Sequence, residues 1–146
     1  MNAIPSCFTG EYEHTLDAVN RLVIPAKWRT GQSEEFFILV RNKSSLSVLP
    51  RAELEKIVQR IDSNPTLSNS EKRERRQIFS SAMQVTCDKQ GRITMAADLL
   101  KKIAIKNVVV FVGGVERFEI WDPETWKQRQ SERAVKRAAI LEELGI

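Results

Sequence analysis

The chain has 146 residues, of which 42% are hydrophobic and 29% charged, and its formal net charge is +4. This length allows one ordinary domain or two very small ones, and the composition excludes a mainly disordered or fibrous protein. The weak positive charge permits a polyanionic partner such as nucleic acid without requiring one.

Localisation is predicted from three further features. Cys7 and Cys87 stand alone, which suits a reducing cytoplasm. The longest apolar run, 108–112, is far too short to cross a bilayer. The N-terminus has neither a basic region nor a long apolar stretch, so we expect a cytoplasmic protein without a signal peptide or a membrane partner.

The first half of the chain reads as strands separated by turn-forming residues. In chain order, we predict a strand at 8–15, a turn at 17–20, a strand at 21–24, a helical turn at 26–29, a hairpin of strands 36–41 and 46–49, and a helix from Pro50 to about residue 61.

The second half repeats this order after a linker. Ser68 and Glu71 form a capping-box pattern that opens a charged linker helix, through about residue 80. We then predict strands at 83–87 and 92–94, a helix at 96–102, a hairpin of strands 107–112 and 117–121, and a helix from Asp122-Pro123 to about Glu143. The apolar positions of this last helix form a narrow stripe, which predicts a packing helix with one solvated face.

A six-residue pattern supports this repetition, because it occurs twice at a distance of 71 positions. At this offset, Asp17 and Arg21 correspond to Asp88 and Arg92, and the apolar run 37–40 corresponds to 108–111. We therefore predict an α+β protein with two pseudo-symmetric halves, 1–67 and 81–146, joined by a linker helix at 68–80.

The repeated Asp-x-x-x-Arg unit has a plain physical interpretation. Asp17 and Asp88 can accept hydrogen bonds from backbone N–H groups and so fix a turn. The fourth position needs a permissive backbone, and it is Asn20 in one copy and Gly91 in the other. The following arginine then presents a guanidinium suited to a phosphate or a guanine edge. An internal Asp–Arg pair that only staples the loop remains an equal alternative.

Catalytic motifs are missing from the sequence. His14 is the single histidine, and there is neither a glycine-rich phosphate loop nor a pairing of a nucleophile with a base. We expect neither an enzyme, nor a metal, a cofactor or a small-molecule substrate.

The residues around both motifs resemble those of the MraZ family. The resemblance rests on Phe8-x-Gly10-Glu11-Tyr12 before Leu16-Asp17, on Arg21-Leu22-x-Ile24-Pro25-Ala26-Lys27-Trp28-Arg29, and on Asp88-Lys89-Gln90-Gly91-Arg92-Ile93. It implies two AbrB-like β-rich halves of the swapped-hairpin or double-barrel type with flanking helices, in a homo-oligomer that forms a ring. It also implies a nucleoid-associated transcription regulator that binds short direct repeats of double-stranded DNA, in the promoter of the division and cell-wall gene cluster.

The resemblance extends to the site residues. The expected DNA-contacting residues are Arg21, Arg92, Lys89, Gln90, Lys27 and Arg29, on loops structured by Asp17, Asn20, Asp88 and Gly91. The family usually has Lys-Gly where this chain has Val19-Asn20, so Lys27 and Arg29 are expected to compensate electrostatically at the first loop. The competing hypotheses are an antitoxin-like AbrB-fold module that binds a protein, and a scaffold in which the Asp–Arg pairs are staples.

Overall fold

A computed structural model describes residues 7–29 and 34–146. The segment 1–6, on which the expectation about a signal peptide rests, lies outside the described residues. The strands are β1 (Glu11–Thr15), β2 (Arg21–Val23), β3 (Glu35–Arg41), β4 (Ser45–Pro50), β5 (Met83–Thr86), β6 (Arg92–Thr94), β7 (Val108–Gly113) and β8 (Phe118–Trp121). The helices are α1 (Arg51–Asp62), α2 (Asn69–Gln77), α3 (Ala97–Lys102), α4 (Pro123–Glu132) and α5 (Ala134–Glu143), with 3₁₀ turns at Ala26–Trp28 and Ile78–Ser81.

The strand pairing joins the two halves of the chain. Six strands form one antiparallel sheet in the order β1-β7-β8-β4-β3-β5, and β2 pairs with β6 in a separate ribbon. The first strand of each half therefore pairs with the third strand of the other half, and the two second strands pair with each other. This exchange makes one α+β body from two units that are each too small to bury a large core.

The main core lies between the ribbon and one face of the sheet. Leu22 and Ile93 point into it from the ribbon, and Phe111 and Phe118 point into it from the sheet. Trp28 packs among the rings, at 5.0 Å from Phe118 between centroids, and its indole N–H donates to the Thr9 carbonyl at 2.9 Å. The burial of these side chains is what holds the ribbon against the sheet.

The opposite face of the sheet is covered by α4. Val110, Val112 and Trp121 are buried there against Trp126 of the helix. The helix begins as the sequence predicts, because the Asp122 carboxylate accepts a hydrogen bond from the Thr125 amide at 3.1 Å and Pro123 follows at the first helical position. The capping box of α2 is also confirmed, since Ser68 and Glu71 exchange hydrogen bonds of 2.9 and 3.1 Å.

Three predictions from the sequence need correction. The strand expected from Phe8 begins at Glu11, because Gly10 has a positive φ of 97° and Phe8 forms only an isolated bridge to Val115. The linker helix becomes a 3₁₀ turn after Gln77. The final helix is broken at Arg133, where φ and ψ are −104° and 5°.

The apolar stripe of α5 does not pack as expected within this chain. Val135 and Leu144 are 87% and 65% exposed. Within the described ranges, no helix combines the length and the apolar composition that a bilayer span requires.

Candidate nucleic-acid interface

The two Asp-x-x-x-Arg loops have the same hydrogen-bonded geometry. In the first, one Asp17 carboxylate oxygen (Oδ1) accepts hydrogen bonds from the amides of Val19 at 3.0 Å and Arg21 at 2.8 Å. In the second, Asp88 Oδ1 accepts from the amides of Gln90 and Arg92, both at 2.9 Å. The turn predicted from the aspartates is therefore formed in both halves.

The fourth residue of each loop has a left-handed backbone. The φ angle is 61° at Asn20 and 80° at Gly91. The amide of each residue donates back to the carbonyl of its aspartate, at 3.1 Å in the first loop and 3.0 Å in the second. Because asparagine and glycine are the residues that best tolerate this conformation, their presence at equivalent positions is explained.

The ribbon ties each loop to the other half of the chain. Its register pairs Arg21 with Thr94, Leu22 with Ile93, and Val23 with Arg92. At each end of the ribbon, one further hydrogen bond of 2.7 Å joins the two halves. The Ile24 amide donates to the Gly91 carbonyl, and the Met95 amide donates to the Asn20 carbonyl.

Strand alternation places both arginines on one face of the ribbon. Leu22 and Ile93 are buried, so Arg21 and Arg92 emerge on the opposite, outward side together with Val23 and Thr94. Arg21 and Arg92 are diagonal neighbours across the antiparallel pair, which puts their Cα atoms about 7–8 Å apart. Val23 and Thr94 could not be recognised from the sequence as neighbours of the arginines, because their position follows from the ribbon register.

Both guanidinium groups are held by their aspartates without being buried. Arg21 Nε donates to Asp17 Oδ2 at 2.7 Å, and Arg92 Nε donates to Asp88 Oδ2 at 2.9 Å. The arginine side chains remain 35% and 30% exposed. Their hydrogen bonds to other described residues use Nε alone, so the terminal nitrogens stay available for a ligand. One Asp–Arg pair can thus fix the turn and also present its guanidinium to a ligand.

The hydrogen bonds also determine the charge state of the loops. The amide and guanidinium of Arg21 lower the pKa of Asp17, and those of Arg92 lower the pKa of Asp88 in the same way. Both aspartates are consequently ionised at neutral pH, and each fixes the plane of a guanidinium through a charge-assisted hydrogen bond.

The other expected DNA-contacting residues lie around these loops. Lys89 and Gln90 are exposed on the second loop, and Lys27 is exposed on the 3₁₀ turn after β2. Arg29 is different, because its side chain is half-buried and its Nη1 donates to the Gln90 carbonyl at 3.0 Å. Val19 stands at the first loop, where the second has Gln90, and is 59% exposed.

The described part of the chain contains no group of three or more His, Cys, Asp or Glu side chains arranged to hold a metal ion. The outward face of the ribbon carries two guanidinium groups, each oriented by an aspartate.

Comparison with known proteins agrees with the duplication. A family model described as "MraZ protein, putative antitoxin-like" matches the chain twice, over residues 7–77 and 78–144. Each matched segment contains one of the Asp-x-x-x-Arg loops.

Three curated relatives, each named "Transcriptional regulator MraZ", are similar to nearly the whole chain. The protein of Leuconostoc mesenteroides is 35% identical over 127 residues, which cover 87% of this chain and 89% of the relative. That of Symbiobacterium thermophilum is 36% identical over 137 residues, covering 94% and 99%. That of Clostridium acetobutylicum is 33% identical over 142 residues, covering 95% and 99%. The chain belongs to the MraZ family.

Proposed function

We propose that this protein is a sequence-specific transcription regulator that binds double-stranded DNA through the outward face of the β2–β6 ribbon. The observation that carries the proposal is the position of Arg21 and Arg92 on one exposed face, each oriented by an aspartate. A two-stranded ribbon has the width that the major groove of B-DNA accepts.

The chemistry of the loops fits this partner. With Nε bound to the aspartate, the terminal nitrogens of each guanidinium can donate to the O6 and N7 atoms of guanine or to a phosphate. Gln90 can contact a base edge, and Lys89 and Lys27 can neutralise phosphates beside the ribbon. The names of the relatives support the same class of function.

The proposal includes a specific DNA target and a specific assembly of the protein. We infer that the protein binds short direct repeats in the promoter of the division and cell-wall gene cluster, as a ring-shaped homo-oligomer associated with the nucleoid in the cytoplasm. The exchange of strands between the halves supports an AbrB-like arrangement of the swapped-hairpin type. A ring would present several ribbons at once, so that weak contacts of single subunits gain avidity on repeated sites.

A second candidate is an antitoxin-like module that binds a protein. It is favoured by the description of the matching family and by the exposed apolar residues Val135, Ile140 and Leu144 of the C-terminal segment. Stoichiometric co-purification with a small nuclease, together with failure to bind DNA, would favour this candidate.

The test is an electrophoretic mobility shift on DNA from upstream of the protein's own gene, at two salt concentrations. We expect Arg21→Ala and Arg92→Ala each to weaken binding by about 1–3 kcal/mol per subunit contact. A lost phosphate contact would also lower the salt slope by about 0.9, whereas a lost base contact would leave it nearly unchanged.

A matched control is Arg41→Ala. Arg41 is also exposed and ion-paired, with Glu119 at 2.9 Å, but it lies on the β3–β4 hairpin and not on the ribbon. If both loop variants bind as tightly as Arg41→Ala, or if the unaltered protein does not shift its upstream DNA, the proposal is wrong.

A further inference from the structure

The two loops are alike in their turns but differ in what holds them. Arg29 belongs to the first half, and its Nη1 reaches the second loop to donate to the Gln90 carbonyl at 3.0 Å. The residue 71 positions later is Leu100, which is 5% exposed in the hydrophobic core and has no group that could make the same bond. The first half therefore supports the second loop through the Arg29–Gln90 hydrogen bond, which we call the brace. The second half has no equivalent side chain at position 100 to support the first loop.

The side chain of Arg29 also fills the space beside Gly91. A Cβ atom at Gly91 would lie 2.2 Å from Arg29 Nη1, 2.4 Å from Cδ and 2.6 Å from Cζ. These distances are far below van der Waals contact, so any side chain at position 91 would displace the guanidinium. The left-handed backbone alone does not require glycine, because Asn20 adopts a similar conformation in the first loop. The contact with Arg29 thus gives position 91 a reason to be glycine that the left-handed backbone alone does not supply.

Arg29 is only partly shielded from solvent, because its Nη1 hydrogen bond to the Gln90 carbonyl lies at the surface. Arg29 Nε is buried and has no hydrogen-bond partner among the residues that the structure describes, and the half-buried side chain reaches from the first half to the second loop. In contrast to the exposed Lys27 and Lys89, Arg29 uses its guanidinium within the protein, where Nη1 donates to the Gln90 carbonyl.

We propose that Arg29 is a positioning residue that holds the second loop in its binding geometry, which makes the two DNA loops inequivalent. The second loop, with Arg92, is preorganised, and the first loop, with Arg21, adapts on binding. The inference rests on the proposed function for its effect on DNA, but the brace itself is a property of the free protein. Preorganisation strengthens binding because less conformational entropy is lost in the complex.

The first experiment needs no DNA. Amide hydrogen exchange of Arg29→Ala, read by NMR, should become about tenfold faster at Gln90, Gly91 and Arg92, while Val19 and Arg21 in the first loop keep their rates. Equal acceleration in both loops, or none in either, would overturn the brace. If the alanine variant is poorly folded, Arg29→Met keeps the aliphatic stem and tests the same hydrogen bond.

A double-mutant cycle tests the packing against Gly91. Gly91→Asn should lower the unfolding temperature in the presence of Arg29, and it should be much better tolerated in the Arg29→Ala background, where the space is free. The matched control is Asn20→Gly, whose effect should be the same in both backgrounds. A Gly91→Asn penalty that is identical in both backgrounds contradicts the role of Arg29.

The DNA arm separates positioning from direct contact. We expect Arg29→Ala to weaken binding by about tenfold, non-additively with Arg92→Ala and additively with Arg21→Ala, at an unchanged salt slope. If Arg29 touched a phosphate, its loss would lower the slope by about 0.9 and leave amide exchange in the free protein unaltered, which would refute the positioning role. If the unaltered protein does not bind DNA, the proposed function fails, and the exchange experiment still decides about the brace.

Discussion

The outward orientation of Arg21 and Arg92 depends on which face of the β2–β6 ribbon is buried, and alanine substitutions can test that face directly. Leu22 and Ile93 are 0% and 1% exposed and lie opposite each other in the ribbon, whereas the adjacent Val23 is 39% exposed. We predict that Leu22→Ala and Ile93→Ala destabilise the protein strongly, and that Val23→Ala and Thr94→Ala do so only slightly.

The magnitude follows from the buried volume. Each core substitution removes three carbon atoms, a loss of about 2.4 kcal/mol at about 0.8 kcal/mol per buried carbon, and the cavity raises the expected range to about 2–5 kcal/mol. For a chain of 146 residues, the entropy of unfolding near the midpoint is about 0.3 kcal/mol/K, so a loss of about 3 kcal/mol lowers Tm by about 10 °C. An exposed strand residue changes stability by about 1 kcal/mol or less, which corresponds to at most about 3 °C.

The assay is thermal unfolding followed by circular dichroism, at one fixed protein concentration because Tm depends on concentration in any protein that self-associates. The loss of stability in the double variant of Leu22 and Ile93 should differ from the sum of the two single losses, since the two side chains are cross-strand neighbours. If Val23→Ala and Thr94→Ala cost as much as the core pair, the ribbon faces the other way. Both arginines would then point into the protein, and the proposed DNA surface would not exist.

Two further predictions concern pH. Hydrogen bonds lower the pKa of Asp17 and Asp88 below the ordinary value of 3.8, so the bonded turns should persist at and just below pH 3.8 and open as the pH falls further. An NMR titration should therefore give midpoints below 3.8 for both carboxylates. Midpoints at the ordinary value would contradict the hydrogen bonds. Glu53 behaves in the opposite sense, because it is 3% exposed and burial, with Glu116 nearby, raises its pKa above 4.5. The folded protein then holds a proton that the unfolded chain releases, so stability falls as pH rises through this pKa. Glu53→Gln should remove that part of the decline, as measured by urea unfolding over a pH series that starts at 4.5 and goes upward.

Local features were predictable because their causes are local. The turn at Asp17, the left-handed residue at position 20, the capping box at Ser68 and the cap at Asp122 each depend on hydrogen bonds between residues no more than four positions apart. The repeat could be seen by comparing one half with the other, and it correctly indicated that both halves have the same order of elements.

The position of Arg29 could not be predicted in the same way. In the sequence it is one of several cations after the first loop, and electrostatic compensation at that loop was the natural expectation. Its contact with Gln90 spans 61 positions and exists only because the ribbon brings the halves together. The break at Arg133 and the exposure of α5 were also missed, since the helical pattern of the sequence continues through this segment.

The sequence by itself determined the duplicated turn chemistry and the kind of side chain that each loop presents, because these follow from interactions within a few residues. Only the tertiary structure decided which strands pair across the halves, which face of the three-residue strands β2 and β6 is buried, and which arginine contacts the loop of the other half. Three residues are too few for alternation to define a face, so the choice depends on where Leu22 and Ile93 find apolar partners in the assembled core.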